Sequence, residues 1–395
     1  MAKLALVVLL LVISLVASIP APAGAWSVEG HQLITNYAIE WLPSPWRQFF
    51  NYYRWFLMDA VVYPDTVYRE TDPNEGPRHY VDLEVWNPND PSSGTLPQSV
   101  EEYAHQMQSA IEGKDWNSVF LFAGRVAHYL GDAAQPYHTT INYNPTNKAG
   151  VGLHLVLDSS LVAHLSEIGI IAPSILRQLS PIENLTDFVL SMALQSHSFL
   201  TIINQTLINE DLPWSPELTK IIENRTNTAI EAVARVWYTA IAGAKSPAPS
   251  IPVHNQLSIA VENVSLTNNG LVTIRIRVVD SLGVSTYANV TLTTSTSIFR
   301  GQVANVVPPA GEYVVICDTA LNPNDRLTAQ REGYATATIT IVTTAASVTS
   351  IGHHSSATAS SARRVGVPTV TIVALIVMLG GIFALVVFSK LSRDN

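Results

Sequence analysis

Up to about residue 244, apolar positions recur at helical spacing. Gln32–Trp41, Val100–Ile111, Trp116–Leu130, His154–Ile168, Leu185–Leu207 and Pro216–Ala244 each predict a helix. Segments rich in Pro, Gly and Asn, such as Asn87–Pro97 and Asn142–Gly152, join them. Long helical patterns without strand alternation predict an all-α domain over residues 26–244. The proline-rich Lys245–Pro252 then reads as a linker (245–252). Beyond it the period falls to two, in short runs at Leu257–Val261, Leu271–Val279, Thr286–Thr293, Gly301–Val307, Tyr313–Asp318 and Ala335–Val342. Turn sequences such as Asn268-Asn269-Gly270 separate them. These runs predict an all-β, immunoglobulin-like sandwich over 253–342. No candidate chemistry falls on it, which favours a spacer or adhesion role.

Two more apolar runs lie at the ends. Lys3 precedes Leu4–Val16, and Ala23-Gly24-Ala25 follows. That is the form of a secretory signal peptide (1–25), its core too short to span a membrane. Cleavage after Ala25 would make Trp26 the mature N-terminus. Val367–Phe388 is long enough to cross a hydrocarbon core, with Lys390 and Arg393 beyond it. The expectation is a cell-surface, single-pass protein with an extracellular N-terminal part. A Ser/Thr/Ala-rich stalk (343–366), a single C-terminal transmembrane helix (367–388) and a cytoplasmic tail (389–395) would follow.

Composition adds limits. With 395 residues, 47% of them hydrophobic, the chain can build two folded domains besides its ends. Cys317 is the only cysteine, so no intrachain disulfide forms and stability must come from packing, metals or glycans. Sequons at Asn184, Asn204, Asn224, Asn263 and Asn289 allow glycosylation. A net charge of -9 counts weakly against broad nucleic-acid binding, although bound metal ions reverse that locally.

The densest candidate chemistry lies between residues 64 and 158. His128 and Asp132 are four apart, hence on one helix face. Gly131 and Pro136 are expected to break that helix, so that Gln135-Pro136-Tyr137-His138 turns His138 back toward it. His154 and Asp158 repeat the four-residue spacing. Imidazole and carboxylate are normal zinc ligands, and this spacing lets two of them reach one metal. A pair of this kind alone is more often an ion pair or a half-buried hydrogen bond than a metal site. Two pairs flanking His138, with Asp65 and His79 upstream, favour a metal cluster. His105, His164 and His197 fall outside the pattern and read as surface or structural.

Taken together, these motifs resemble the zinc-dependent phospholipases C and the single-strand-specific zinc nucleases, over Trp26 to Asp158. In that superfamily an N-terminal tryptophan binds zinc through its own α-amine and carbonyl. The resemblance implies three zinc ions: one on Trp26 and His31, a second on Asp65, His79 and His128, and a third on His138, His154 and Asp158. Asp132 would bridge the first two. It also implies metal-assisted hydrolysis of a phosphodiester, with Asp65 as the catalytic residue that orients or deprotonates the attacking water.

Substrate features divide. Trp26-Ser-Val-Glu-Gly-His31 and the terminal ligand Asp158 lean toward the nucleases. Those enzymes place an arginine three residues after the first Asp, where this chain has Tyr68 and then Arg69. Their Gly-Gly-Asn segment is absent between His138 and His154. Glu29 stands where the phospholipases have an acid that contacts the head group, while their choline-pocket aromatics are replaced by Thr66 and Gly76. With membrane anchoring and the acidic balance, a phospholipase C-type enzyme acting on phospholipid is expected. The alternatives are a nuclease acting on single-stranded nucleic acid and a non-catalytic, zinc-stabilised surface module.

Overall fold

The computed structural model of the chain describes residues 26–172, 179–208, 215–253, 255–266, 272–293, 298–299, 304–305, 311–317 and 325–341. The expected signal peptide, stalk, membrane span and tail lie outside the described residues. Among the described residues, no helix is long and apolar enough to cross a membrane. That finding overturns the single-pass, cell-surface placement and the membrane anchor expected from the sequence. Even the longest described helix, Pro216–Ala244, is interrupted by Glu217, Lys220, Glu223, Arg225, Glu231 and Arg235, and charged side chains are costly in hydrocarbon.

The helical part comprises α1 (Val28–Trp41), α2 (Trp46–Tyr52), α3 (Arg54–Ala60), α4 (Leu96–Gly113), α5 (Trp116–Ala134), α6 (Leu153–Ala163), α7 (Leu185–His197), α8 (Leu200–Ile208) and α9 (Pro216–Ala244). Side-chain caps set several starts. Ser27 Oγ accepts from Gly30 N at 3.3 Å, so α1 begins at Val28 and not at Gln32. Asp115 caps α5 by accepting from Ser118 N at 3.1 Å.

Helix α5 is the axis of this part, packed by α3, α4 and α9. From Val126 to Ala134 every residue is buried. Contrary to expectation, the helix runs through Gly131 and ends only before Pro136. At Gly124 it crosses α3 so closely that a Cβ would lie 2.7 Å from the carbonyl carbon of Ala60. Phe49, Phe50, Tyr53 and Phe56, on α2 and α3 and the residue joining them, pack around Phe120 of α5. The pattern expected as one helix over Leu185–Leu207 divides after His197, and that over His154–Ile168 ends at Ala163.

The all-β part is two four-stranded sheets. One has the order β2 (Ser258–Leu266), β3 (Val272–Val279), β7 (Glu312–Cys317), β6 (Ala304–Asn305); the other β10 (Ala337–Thr340), β8 (Arg326–Gln330), β4 (Asn289–Thr293), β5 (Ile298–Phe299). A short parallel pair, β1 (Asn255–Gln256) with β9 (Tyr334–Ala335), completes it. Alternation puts Ile274, Ile276 and Val278 of β3 into a core with Val315, Val290, Leu292, Leu327 and Ala329.

The helical and β parts meet over more than the linker. Tyr53 donates to Asp280 Oδ2 at 2.6 Å, Ser285 N donates to Asn117 Oδ1 at 3.0 Å, and Val284 is buried in the helical core.

Candidate metal centre

Buried in α5, His128 and Asp132 stand one turn apart, with Nε2 and Oδ2 3.6 Å apart. His31 of α1 stacks on His128, ring centroids 4.0 Å apart and planes at 13°. Its Nε2 comes within 3.4 Å of Asp132 Oδ1. Gly131 allows this approach, because a Cβ there would sit 2.7 Å from His31 Nδ1. Glycine at this position makes room for a side chain instead of breaking the helix.

Asp65 lies on a π-helical turn, Pro64–Tyr68, a geometry that recurs at functional sites. Its two oxygens lie 3.6 Å from His79 Nδ1 and 3.7 Å from His128 Nε2. His79 closes the 3-10 turn Gly76–His79 and sets Nδ1 3.0 Å from Asp132 Oδ2. Two sets, His31/His128/Asp132 and Asp65/His79/His128, each gather their ligand atoms within 4.8 Å of one another.

Pro136 ends α5 and a 3-10 turn, Pro136–Thr139, carries His138. Its Nε2 lies 2.9 Å from His154 Nε2, while its Nδ1 faces the His79 carbonyl. On α6, His154 Nε2 lies 3.5 Å from Asp158 Oδ2. The Asp158 Oδ1 accepts from Gln135 Nε2 at 2.6 Å. Trp26 is buried beside both groups. Its indole donates to Gly131 O at 3.0 Å, and the next amide, Ser27 N, donates to Asp158 O at 3.4 Å.

The donor set fits a metal. His31 Nδ1 and Nε2, Asp132 Oδ1 and His154 Nδ1 are buried without a hydrogen-bond partner. Such orphaned groups are expensive in a protein interior. Imidazole nitrogens and carboxylate oxygens that converge in this way could hold a metal ion, and both are ordinary zinc ligands.

Protonation states agree. Burial holds His31, His128 and His138 well below the usual imidazole range, helped by His128, His79 and His154 respectively, and takes His154 down to about 4. These rings are neutral, the form that ligates. Burial pushes Asp132 and Asp158 upward. Burial alone would lower His79, but its contacts with Asp132 and Glu75 raise it overall. In the metal-free protein the His79–Asp132 pair therefore retains a proton that an incoming metal must displace. Zinc affinity should fall roughly tenfold per pH unit for each displaced proton as pH drops through neutrality. Competition titrations at about pH 6 and about pH 8 read this; equal affinities would contradict the protonated pair.

A cavity of about 470 Å³ opens beside the cluster, lined by His79, His138 and His154 with Arg69, Tyr80, Asp82 and Tyr143. Arg69 donates from Nε to Asp65 Oδ1 at 3.1 Å. Glu29 remains exposed on the first turn of α1 and does not line the cavity. Three histidines read as structural lie elsewhere: His164 is 2.9 Å from Glu167, His197 faces the Thr139 carbonyl at 2.9 Å, and His105 is exposed.

One residue escaped the sequence reading. Glu75 is fully buried, with Oε1 accepting from the Tyr129 hydroxyl and Oε2 from Arg78 and Arg125 at 2.9 and 3.2 Å. Its place four residues before His79 was the available signal.

No protein-family model matches the chain, and no curated protein matches it either. Among solved structures it is similar to the alpha toxin of Clostridium absonum, with a TM-score of 0.42 and 11% identity over 79% of this chain and 91% of that one. It is similar as well to the alpha-toxin of an avian Clostridium perfringens strain, with a TM-score of 0.42 and 10% identity over 79% of this chain and 88% of that one. Likeness at this level says nothing of chemistry, which rests on the side chains described above.

Proposed function

We propose that this chain is a zinc-dependent phosphodiester hydrolase that releases phosphorylated head groups from phospholipid. The observation that carries this reading is the convergence of five buried histidines with Asp65, Asp132 and Asp158 beside an open, Arg69-lined cavity. Trp26 and His31 would hold one zinc, the tryptophan through its amine once residues 1–25 are removed. Asp65, His79 and His128 would hold a second and His138, His154 and Asp158 a third, with Asp132 shared between the first two. Bound there, zinc would supply charge neutralisation to the phosphodiester and acidify a water.

The protein's own groups fill the remaining roles. Asp65 is the carboxylate of the cluster most open to solvent, at 15% against 0% for Asp132 and 6% for Asp158. It is therefore the group placed to orient a water or accept its proton. Arg69 lines the cavity with a planar guanidinium, which suits phosphate oxygens. Its Nε bond to Asp65 ties the two side chains together.

The cavity wall favours lipid. Pro77, Tyr137, Ile141 and Tyr143 form much of it, and Ile141 and Tyr143 continue outward as exposed apolar surface. The nuclease reading has one observation of its own. Tyr80 and Tyr143 give the cavity aromatic faces on which a base could stack. Hydrolysis of dispersed phospholipid and of single-stranded DNA, compared at equal zinc loading, separates the two. Faster release of head groups is expected; the reverse ranking would favour the nuclease, and turnover of neither would contradict both.

A further inference from the structure

We infer that Glu75 is a positioning residue for His79, holding the ring so that Nδ1 presents its lone pair to the metal cluster. The inference rests on the reading of that cluster as a zinc centre. His79 Nδ1 faces inward, 3.0 Å from Asp132 Oδ2 and 3.2 Å from His128 Nε2. Its other nitrogen points the opposite way and lies 3.4 Å from Glu75 Oε1.

This arrangement sets His79 apart from its neighbours. His128 and His138 turn their outer nitrogens to the backbone carbonyls of Val61 and His79. His31 and His154 have no partner for Nδ1, and His79 Nε2 makes no hydrogen bond either, but it alone of these has a carboxylate oxygen, Glu75 Oε1, within ion-pair distance. Among the ligand candidates, His79 alone is backed by a carboxylate that is not itself one of them. A carboxylate behind a ligating imidazole fixes which nitrogen carries the hydrogen and makes the other a stronger donor.

The carboxylate is built to stay in place. Glu75 is fully buried, gripped by Tyr129, Arg78 and Arg125. Arg78 is anchored in turn by Asp72 at 2.5 Å, and the Arg125 guanidinium lies 3.6 Å from the ring centre of Tyr68 and 4.6 Å from that of Tyr103. Two arginines therefore stand against the buried carboxylate of Glu75. Tyr129 also sets the edge of its ring against His79 and His128, at centroid distances of 5.5 and 5.7 Å. A surface ion pair would need none of this; a buried acid aimed at one nitrogen of a metal-facing histidine does.

The test is zinc affinity by chelator competition, on full-length protein, in a double-mutant cycle. Glu75→Gln should weaken the tightest-coupled zinc about 10–100-fold, the usual cost of losing a partner behind a ligand. In a His79→Gln background the same change should weaken zinc binding little further, because Glu75 acts through that ring. An equal loss in both backgrounds would mean that Glu75 only braces the fold, and would overturn the inference. Should Glu75→Gln fail to fold, Tyr129→Phe frees Oε1 while keeping the charge, and should give a smaller shift that also vanishes without His79. If the wild-type protein binds no zinc, the metal-centre reading itself fails. If it binds zinc and neither variant alters affinity, only the role of Glu75 fails.

Discussion

Replacing His128 with alanine should strip zinc from the centre and lower turnover by roughly a thousandfold or more. His128 belongs to both ligand sets, and its Nδ1 is locked by the Val61 carbonyl at 2.7 Å so that Nε2 faces Asp65, His79 and Asp132. A bound metal contributes several kcal/mol of transition-state charge stabilisation, and each ~1.4 kcal/mol is a factor of ten in rate. The loss should therefore exceed that of Asp158→Asn, because Asp158 belongs to neither set and stands beside His154 at the edge of the cluster. Zinc analysis alongside steady-state kinetics reads both quantities. Full metal content with undiminished turnover would remove His128 from the centre. A far-ultraviolet spectrum distinguishes ligand loss from unfolding, since truncation also leaves a void against the stacked His31 ring.

The second large effect concerns the backbone at Trp26. The α-amine of Trp26 is free only when the bond to Ala25 has been cut; before that its nitrogen is an amide with little basicity. The structure fixes the position tightly, since the indole is bonded to Gly131 O and the following amide to Asp158 O. One extra residue before Trp26 would displace the amine by about 3.5 Å and should empty the site shared with His31. By contrast, Trp26→Phe on a correctly cut chain should keep most of the zinc. It loses the indole hydrogen bond, worth about 1 kcal/mol, but not the amine. Mass spectrometry of the mature chain with zinc analysis of both variants checks this. An extended chain with full zinc and activity would remove Trp26 from the centre.

The order of a helical part followed by a β part was legible in the sequence, as was the spacing of the candidate ligands, but the packing was not. Ligand spacing survives in one dimension: four residues along α5 or α6 put His128 with Asp132 and His154 with Asp158 on one face whatever surrounds them. Packing does not survive in this way. Gly131 looked like a helix breaker because glycine's intrinsic propensity is poor, yet tertiary contact with His31 decides its role. Helices α2 and α3 are only seven residues each, two turns apiece, too short for a helical period to mark one buried face. Strand β8 was missed because Leu327 and Ala329 give too short an alternation, and only pairing between β4 and β10 makes it a strand.

Glu75 shows the same limit in the site itself. Its partners Tyr129 and Arg125 come from α5, far along the chain, and nothing in the local sequence joins them to it. The apolar run Val367–Phe388 is a compositional signal that lies outside the described residues, among which no helix is long and apolar enough to cross a membrane.

The central claim is that the buried histidine and aspartate cluster is a zinc centre, and anomalous diffraction at the zinc edge tests it most directly. The account predicts peaks between His31 and Asp132, among Asp65, His79 and His128, and among His138, His154 and Asp158, in crystals grown without added chelator. Crystals of the mature chain soaked in zinc that show these side chains ordered and no anomalous density among them would contradict it.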